Sequence, residues 1–315
     1  MDRRAFLAGA VAAAATPRAF AQLLASRDLV LVTADLESRL VVVDLHARGL
    51  RYLQTLAKPR SIETVGRRAV VAHSDLGAVS VVDARAMRVA HVLRGFGEPR
   101  YTAAHPDGRH AYVTDASRGE VAALDVGDGR VLARERVGPL ARHVSIDPAG
   151  RRLWVALGRK AKELAVVDVS RRSRPRLLGF VRPPFLAHDV GWTPDGRYVW
   201  VTSGDRGELA IYDGASGRVL RRLRADGPPQ HVTFHRGRAY VASGETGTVR
   251  THLVGGRELH RARVPTGSYN VQGAHEWVVT PGLGRGSLCV LDLEGLVVRR
   301  LQVARSSHDA CIVRV

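Results

Sequence analysis

The sequence predicts an all-β fold, a propeller of seven four-stranded antiparallel blades. A module of strands and turns recurs with a period of about 40 residues, which is the mark of a radial β repeat. Each copy ends its third strand at one marker position: VVVD at Asp44, SVVD at Asp83, AALD at Asp125, AVVD at Asp168, AIYD at Asp213, VRTHL at Leu253 and CVLD at Asp292. Successive markers stand 39 to 45 residues apart, with turns recurring in phase. The first copy lacks an inner strand, and the chain finishes with a surplus one.

Each copy holds an inner, a second, a third and an outer strand. The clearest runs over residues 193–223: PDGR as a turn, YVWVTS as a strand, GDRG, then ELAIYD, GASG and RVLRRL. The second strands are LVLVT, AVVAH, AYVTD, LWVAL, YVWVT, AYVAS and WVVTP. Their alternation suits sheets packed face to face. HPDGR from His105, DPAGR from Asp147 and TPDGR from Thr193 form the turns into second strands. Proline fixes φ there and glycine accepts a positive one. The marker aspartates are expected to satisfy backbone N–H groups of the turns that follow. Asp28 starts a second strand directly, while HDACIV at residues 308–313 matches HDVGW at 188–192. The C-terminal strand is therefore expected to complete the first blade, closing the ring and removing its exposed sheet edges. One blade cannot bury both faces, so residues 22–315 are expected to form a single domain.

The chain has 315 residues, 45% hydrophobic and 25% charged, an ordinary globular balance. Its net charge of +18 comes from arginine, since Lys58, Lys160 and Lys162 are the only lysines. Such a charge suits nucleic acid, an anionic membrane or acidic ligands, and codon bias toward arginine produces it too. No basic arm, basic helix or aromatic RNA-binding strand concentrates it, so no nucleic-acid partner is expected. Cys289 and Cys311 lie outside any CxxC or CxxCH and fall in strands expected to be buried. There they read as small apolar fillers, with a disulfide between them left open.

Residues 1–21 read as an export signal. Arg3 and Arg4 precede an apolar stretch at residues 6–15, and Ala19-Phe20-Ala21 supplies a cleavage site before Gln22. Arg3-Arg4-Ala5-Phe6-Leu7 resembles the twin-arginine signal RRxFL, with Asp2 where that motif usually has Ser or Thr. No later segment has transmembrane length and apolarity. The expected location is the periplasm or another extracytoplasmic space, as a monomer.

Over residues 28–315 the repeat resembles the YVTN-type β-propeller repeats of bacterial and archaeal extracytoplasmic proteins. YVWVTSGDRGELAIYD and AYVTDASRGEVAALD stand close to that family's YVTNxxxNTVSVID, with Gly where the family often has Asn before the third strand. The resemblance implies that inner strands line a central channel. It also implies that the loops entering them share one face with the hairpins between second and third strands. Aligned inner-strand starts then form a ring: Arg60-Ser61, Arg100-Tyr101, Arg142-His143, His188-Asp189, Gln230-His231, Tyr269-Asn270 and His308-Asp309. Neighbouring hairpins add Asp35, His73, Asp75, Asp115, Asp205 and Glu245.

The candidate ligand-binding residues are Arg100, Arg142, His143, His188, Asp189, His231, His308 and Asp309. The four histidines are the strongest, since imidazoles ligate metals or haem iron and move protons near neutrality. Arginines grip carboxylates in bidentate fashion. His235, four residues after His231, reads as structural. A water-filled channel of mutually paired polar groups has the same composition. GxSxG, HExxH and P-loop motifs are absent, and the acidic hairpins lack calcium-loop spacing, so neither catalytic nor metal-binding residues are assigned. The expected function is a binding or scaffold module for a small anionic ligand or a periplasmic partner protein. The alternative is a cofactor-handling or oxidoreductase-associated propeller. It would be similar in kind to haem d1 propellers or to the propellers of quinoprotein systems, with channel histidines facing haem or another cofactor.

Overall fold

The computed structural model describes residues 27–47 and 49–315; the export signal expected at residues 1–21 lies outside them. Seven four-stranded antiparallel sheets form the fold. The inner strands, from blade 1 to blade 7, are Ala310–Arg314, Ser61–Val65, Pro99–Ala104, Ala141–Ile146, Ala187–Trp192, His231–His235 and Gln272–Ala274. Blade 1 takes its inner strand from the C-terminus, which pairs antiparallel with Asp28–Ala34, Leu31 facing Cys311. Arg314 seals the seam with two bonds to the buried Asp28 carboxylate, at 2.7 and 2.9 Å.

Where the sequence reading has alternation in the second strands, the structure has unbroken burial. Second and third strands sit between neighbouring blades and are buried on both faces, so they read as Val, Ala and Leu runs. Seven apolar clusters result, one at each boundary between blades. The boundary between blades 7 and 1 is filled like the rest, by Val30, Val32 and Ile312 against Val279, Leu288 and Val290. Cys289 and Cys311 are both free and buried in these layers.

The marker aspartates do what their position predicts. Asp44, Asp83, Asp125, Asp168, Asp213 and Asp292 each accept a backbone N–H two to four residues on through Oδ1. In the HPDGR turn, Gly108 takes a φ of 69°, a value that costs glycine little.

Candidate functional site

In three blades, two residues at the inner-strand start are freed from strand pairing. In blades 3, 4 and 5 the pairing with the second strand shifts register, between Pro99 and Thr102, Ala141 and Val144, and Ala187 and Val190. The break leaves Arg100-Tyr101, Arg142-His143 and His188-Asp189 outside the ladder. Second-strand threonines take up freed amides: Tyr101 N–H donates to Thr114 Oγ1 at 3.1 Å, and Asp189 N–H to Thr202 Oγ1 at 2.9 Å. In blade 1, Asp309 N–H donates to Thr33 Oγ1 at 2.9 Å.

In every blade but the third, the first residue of the pair opens onto a funnel of about 620 Å³. Arg60, Arg142, His188, Gln230, Tyr269 and His308 line it, joined by Arg159, Lys160 and Glu245 from the hairpins. The second residue of each pair faces a narrower throat of about 250 Å³, with Ser61, Tyr101, His143, Asp189, His231, Asn270 and Asp309. Glu63 and Gln272 lie in the same throat.

The funnel is basic, with four cations and one carboxylate in its wall. Among the described residues, no carboxylate comes within ion-pair distance of Arg60, Arg142, Arg159 or Lys160. Arg142 is half-buried, its Nε has no hydrogen-bond partner among the described residues, and its guanidinium stands 5.8 Å from the Tyr101 ring centre. Burial pulls its pKa down to about 10, and the charges of Arg100 and Arg159 add to the effect.

The histidines divide by environment. His188 Nδ1 lies 2.9 Å from the Arg159 carbonyl oxygen and His308 Nδ1 lies 3.0 Å from that of Arg60. A carbonyl only accepts, so each Nδ1 carries its hydrogen and each neutral ring keeps the Nε2 lone pair. Burial, then the charge of His231, lowers His188 to about 4. Burial, then Arg60, holds His308 well below the usual imidazole range. His143 is 1% exposed and stacks on Tyr101 at 3.9 Å between ring centres. Neither of its nitrogens has a partner among the described residues, and burial keeps it neutral. His231 is raised instead: burial is the largest single effect and opposes its charge, but the charge and hydrogen bond of the Asp189 carboxylate at 3.2 Å, with the Asp309 charge, together carry the balance.

The throat carboxylates also hold the ring together. Asp189 Oδ2 accepts the N–H of Val232 in the next blade at 3.0 Å, and Asp309 Oδ2 accepts that of Ile62 at 3.0 Å. Asn270 donates to Asp309 Oδ1. Glu63 accepts from Gln272 Nε2 at 3.0 Å and from Thr64 N–H at 2.9 Å.

Seven of the eight candidates meet along this axis. Arg100 turns to the rim, paired with Glu98 at 2.6 Å in a separate recess beside Asp35 and Asp75. Of the hairpin residues, Glu245 reaches the funnel. His73 is buried between the Ala57 carbonyl and Ser80, Asp115 caps Gly97 and Glu98, Asp75 pairs with Lys58, and Asp205 bonds Ser203. His235 bonds the His275 carbonyl, a structural role as expected. Sequence reasoning missed Glu63, Arg159 and Lys160. Two-residue alternation from Ser61 carries the first signal, because Ser61 and Glu63 share a strand face. Arg159 and Lys160 sit in a hairpin without a repeat signature.

No family model matches the chain. Among solved structures it is similar to hydrazine synthase of Kuenenia stuttgartiensis, at 17% identity and a TM-score of 0.65, covering 82% of this chain and 95% of that one. It is similar to the dihydro-haem d1 dehydrogenase NirN at 17% identity and a TM-score of 0.62, covering 87% of this chain. This chain spans 63% of NirN. A protein of Desulfotomaculum acetoxidans matches at 12% identity and a TM-score of 0.77, covering 90% of this chain and 98% of that one. At these identities the likeness is one of fold, and the fold it agrees on is the β-propeller.

Proposed function

We propose that this chain is an exported propeller of YVTN type that binds a small anionic ligand in the basic funnel. One observation carries the reading: four cations converge there without a carboxylate partner, and one of them, Arg142, is half-buried. A desolvated guanidinium lacking a partner is costly, and a ligand carboxylate or phosphate supplies the missing acceptors in bidentate geometry. Channel water alone would leave that charge without a counter-ion. Export is supported by Arg3-Arg4 and the apolar residues 6–15. No helix of the described residues is long and apolar enough to cross a membrane.

Calorimetric titration with small di- and tricarboxylates and inorganic phosphate, at low ionic strength, tests the binding. Arg142→Met should weaken binding of the preferred anion by about 10- to 100-fold, the usual worth of a charged hydrogen bond. Equal affinity in wild type and variant would remove the funnel from consideration. Fractionation of cells expressing the full chain tests export, with the mature protein beginning at Gln22.

A haem-type tetrapyrrole is the second reading. His188 and His308 favour it, since each presents Nε2 with its Nδ1 hydrogen already engaged. Fixing the far nitrogen in this way suits an imidazole to ligation. NirN, a dihydro-haem d1 dehydrogenase, shares the fold. A bound tetrapyrrole would bring its own redox chemistry. This chain would offer an imidazole to the iron and Arg142 and Arg159 to the acidic side chains. A Soret band in protein from its native compartment supports this reading, and a colourless protein that leaves added haem unbound excludes it.

A further inference from the structure

One level below the funnel, three consecutive blades present His143, Asp189 and His231 at the same register position. Their ligand atoms all lie within 4.8 Å of one another. We propose that these three residues bind a divalent transition-metal ion in the throat of the propeller. Two imidazoles and one carboxylate on one side of an ion, with the remaining positions open, is a donor set that first-row metals accept. The proposal stands apart from the funnel reading, because it concerns the throat and a cation.

Three observations point the same way. His143 is 1% exposed with no partner on either nitrogen among the described residues, and folded proteins rarely leave a buried imidazole so. The chain gives His143 no reason to keep both nitrogens bare, whereas an ion would use one. Asp189 is held from behind by the N–H groups of Val190 and Val232, at 2.8 and 3.0 Å, which fixes a carboxylate for ligation. Glu63 and Asp309 line the same throat and add two more carboxyl groups beside it. Donors on a common ion stand about 3.4 Å apart when each bond is about 2.1 Å. Small side-chain rotations bring 4.8 Å to that value. The opposing reading is a metal-free His231–Asp189 ion pair at 3.2 Å.

The test uses full-length protein stripped with a chelator and titrated with Co²⁺, then with Zn²⁺, by visible spectroscopy and calorimetry. One equivalent of Co²⁺ per chain is expected, with d–d bands of nitrogen and oxygen ligation. His143→Ala and His231→Gln should each weaken uptake by at least about 10-fold. His260→Ala, in the outer strand Glu258–Arg263, should leave it unchanged and so exclude casual surface binding. Zn²⁺ should raise the melting temperature of wild type but not of folded His143→Ala. Absence of saturable one-equivalent uptake by wild type overturns the proposal, and so does equal uptake by His143→Ala. Should His143→Ala not fold, His231→Gln and the wild-type Co²⁺ spectrum decide: unchanged affinity in the variant, or no d–d bands, refutes the site.

Discussion

At the scale of single residues, the throat brings together groups that titrate against one another. Burial raises Glu63 to about 7, and the neighbouring Asp309 charge adds to it; Thr64 N–H, Gln272 and His231 pull the other way. Burial likewise raises Asp309 to about 7, against Ile62 N–H, His231, Ala310 N–H and Asn270. Folded Glu63 therefore holds its proton more tightly than the unfolded chain does, at an ordinary value of 4.5. Its contribution to stability is complete below that value and is lost as pH rises through about 7. Glu63→Gln should match wild type in thermal melts at pH near 4 and exceed it by about 1–3 kcal/mol at pH near 8. A gap that does not change with pH would refute this. His188 has the opposite sign. Its folded value of about 4 lies below the ordinary 6.5, so stability is lost as pH falls across that window. His188→Gln should therefore lose less melting temperature than wild type between pH 7 and pH 5. The ring of paired residues was legible in the sequence because register repeats from blade to blade. Which partners the pairs choose was not. Arg100 turns aside to Glu98, two residues before it, while Asp189 and Asp309 reach the next blade, a choice set by how adjacent blades pack.

At the scale of elements, the second strand carries more of the site than its apolar character implies. Thr33, Thr114 and Thr202 all sit at the same position, visible in LVLVT, AYVTD and YVWVT, and each bonds the amide of a throat residue. Thr202→Val keeps the shape but strands the buried Asp189 N–H. It should cost about 1–3 kcal/mol in denaturant melts. Through Asp189 it should also weaken Co²⁺ uptake, whereas a threonine serving only packing would leave uptake alone. The marker aspartates, the PDGR turns and the four-strand order were readable because they depend on neighbours within about five residues. The register shifts that free Arg142-His143 and His188-Asp189 arise between strands, and no local motif announces them.

At the scale of the whole molecule, stability depends on the seam between the two ends of the described chain. Arg314→Met leaves the buried Asp28 without its strongest partner and should cost about 1–3 kcal/mol. Deleting residues 310–315 should do far more, since it bares the edge of Asp28–Ala34 and removes Ala310 and Ile312 from the layer between blades 7 and 1. Size-exclusion chromatography should show aggregates in place of a compact species; a well-behaved monomer would refute the closure role. The same seam sets the order of events during synthesis. The blade made first by the ribosome is the last to be finished, because its inner strand waits for Ala310–Arg314 to emerge. Until then a strand buried along its whole length in the finished ring has a bare edge, and the growing chain is at its most prone to stick to others. A stop codon just before Ala310 should therefore be nearly as damaging as one in the middle of the ring.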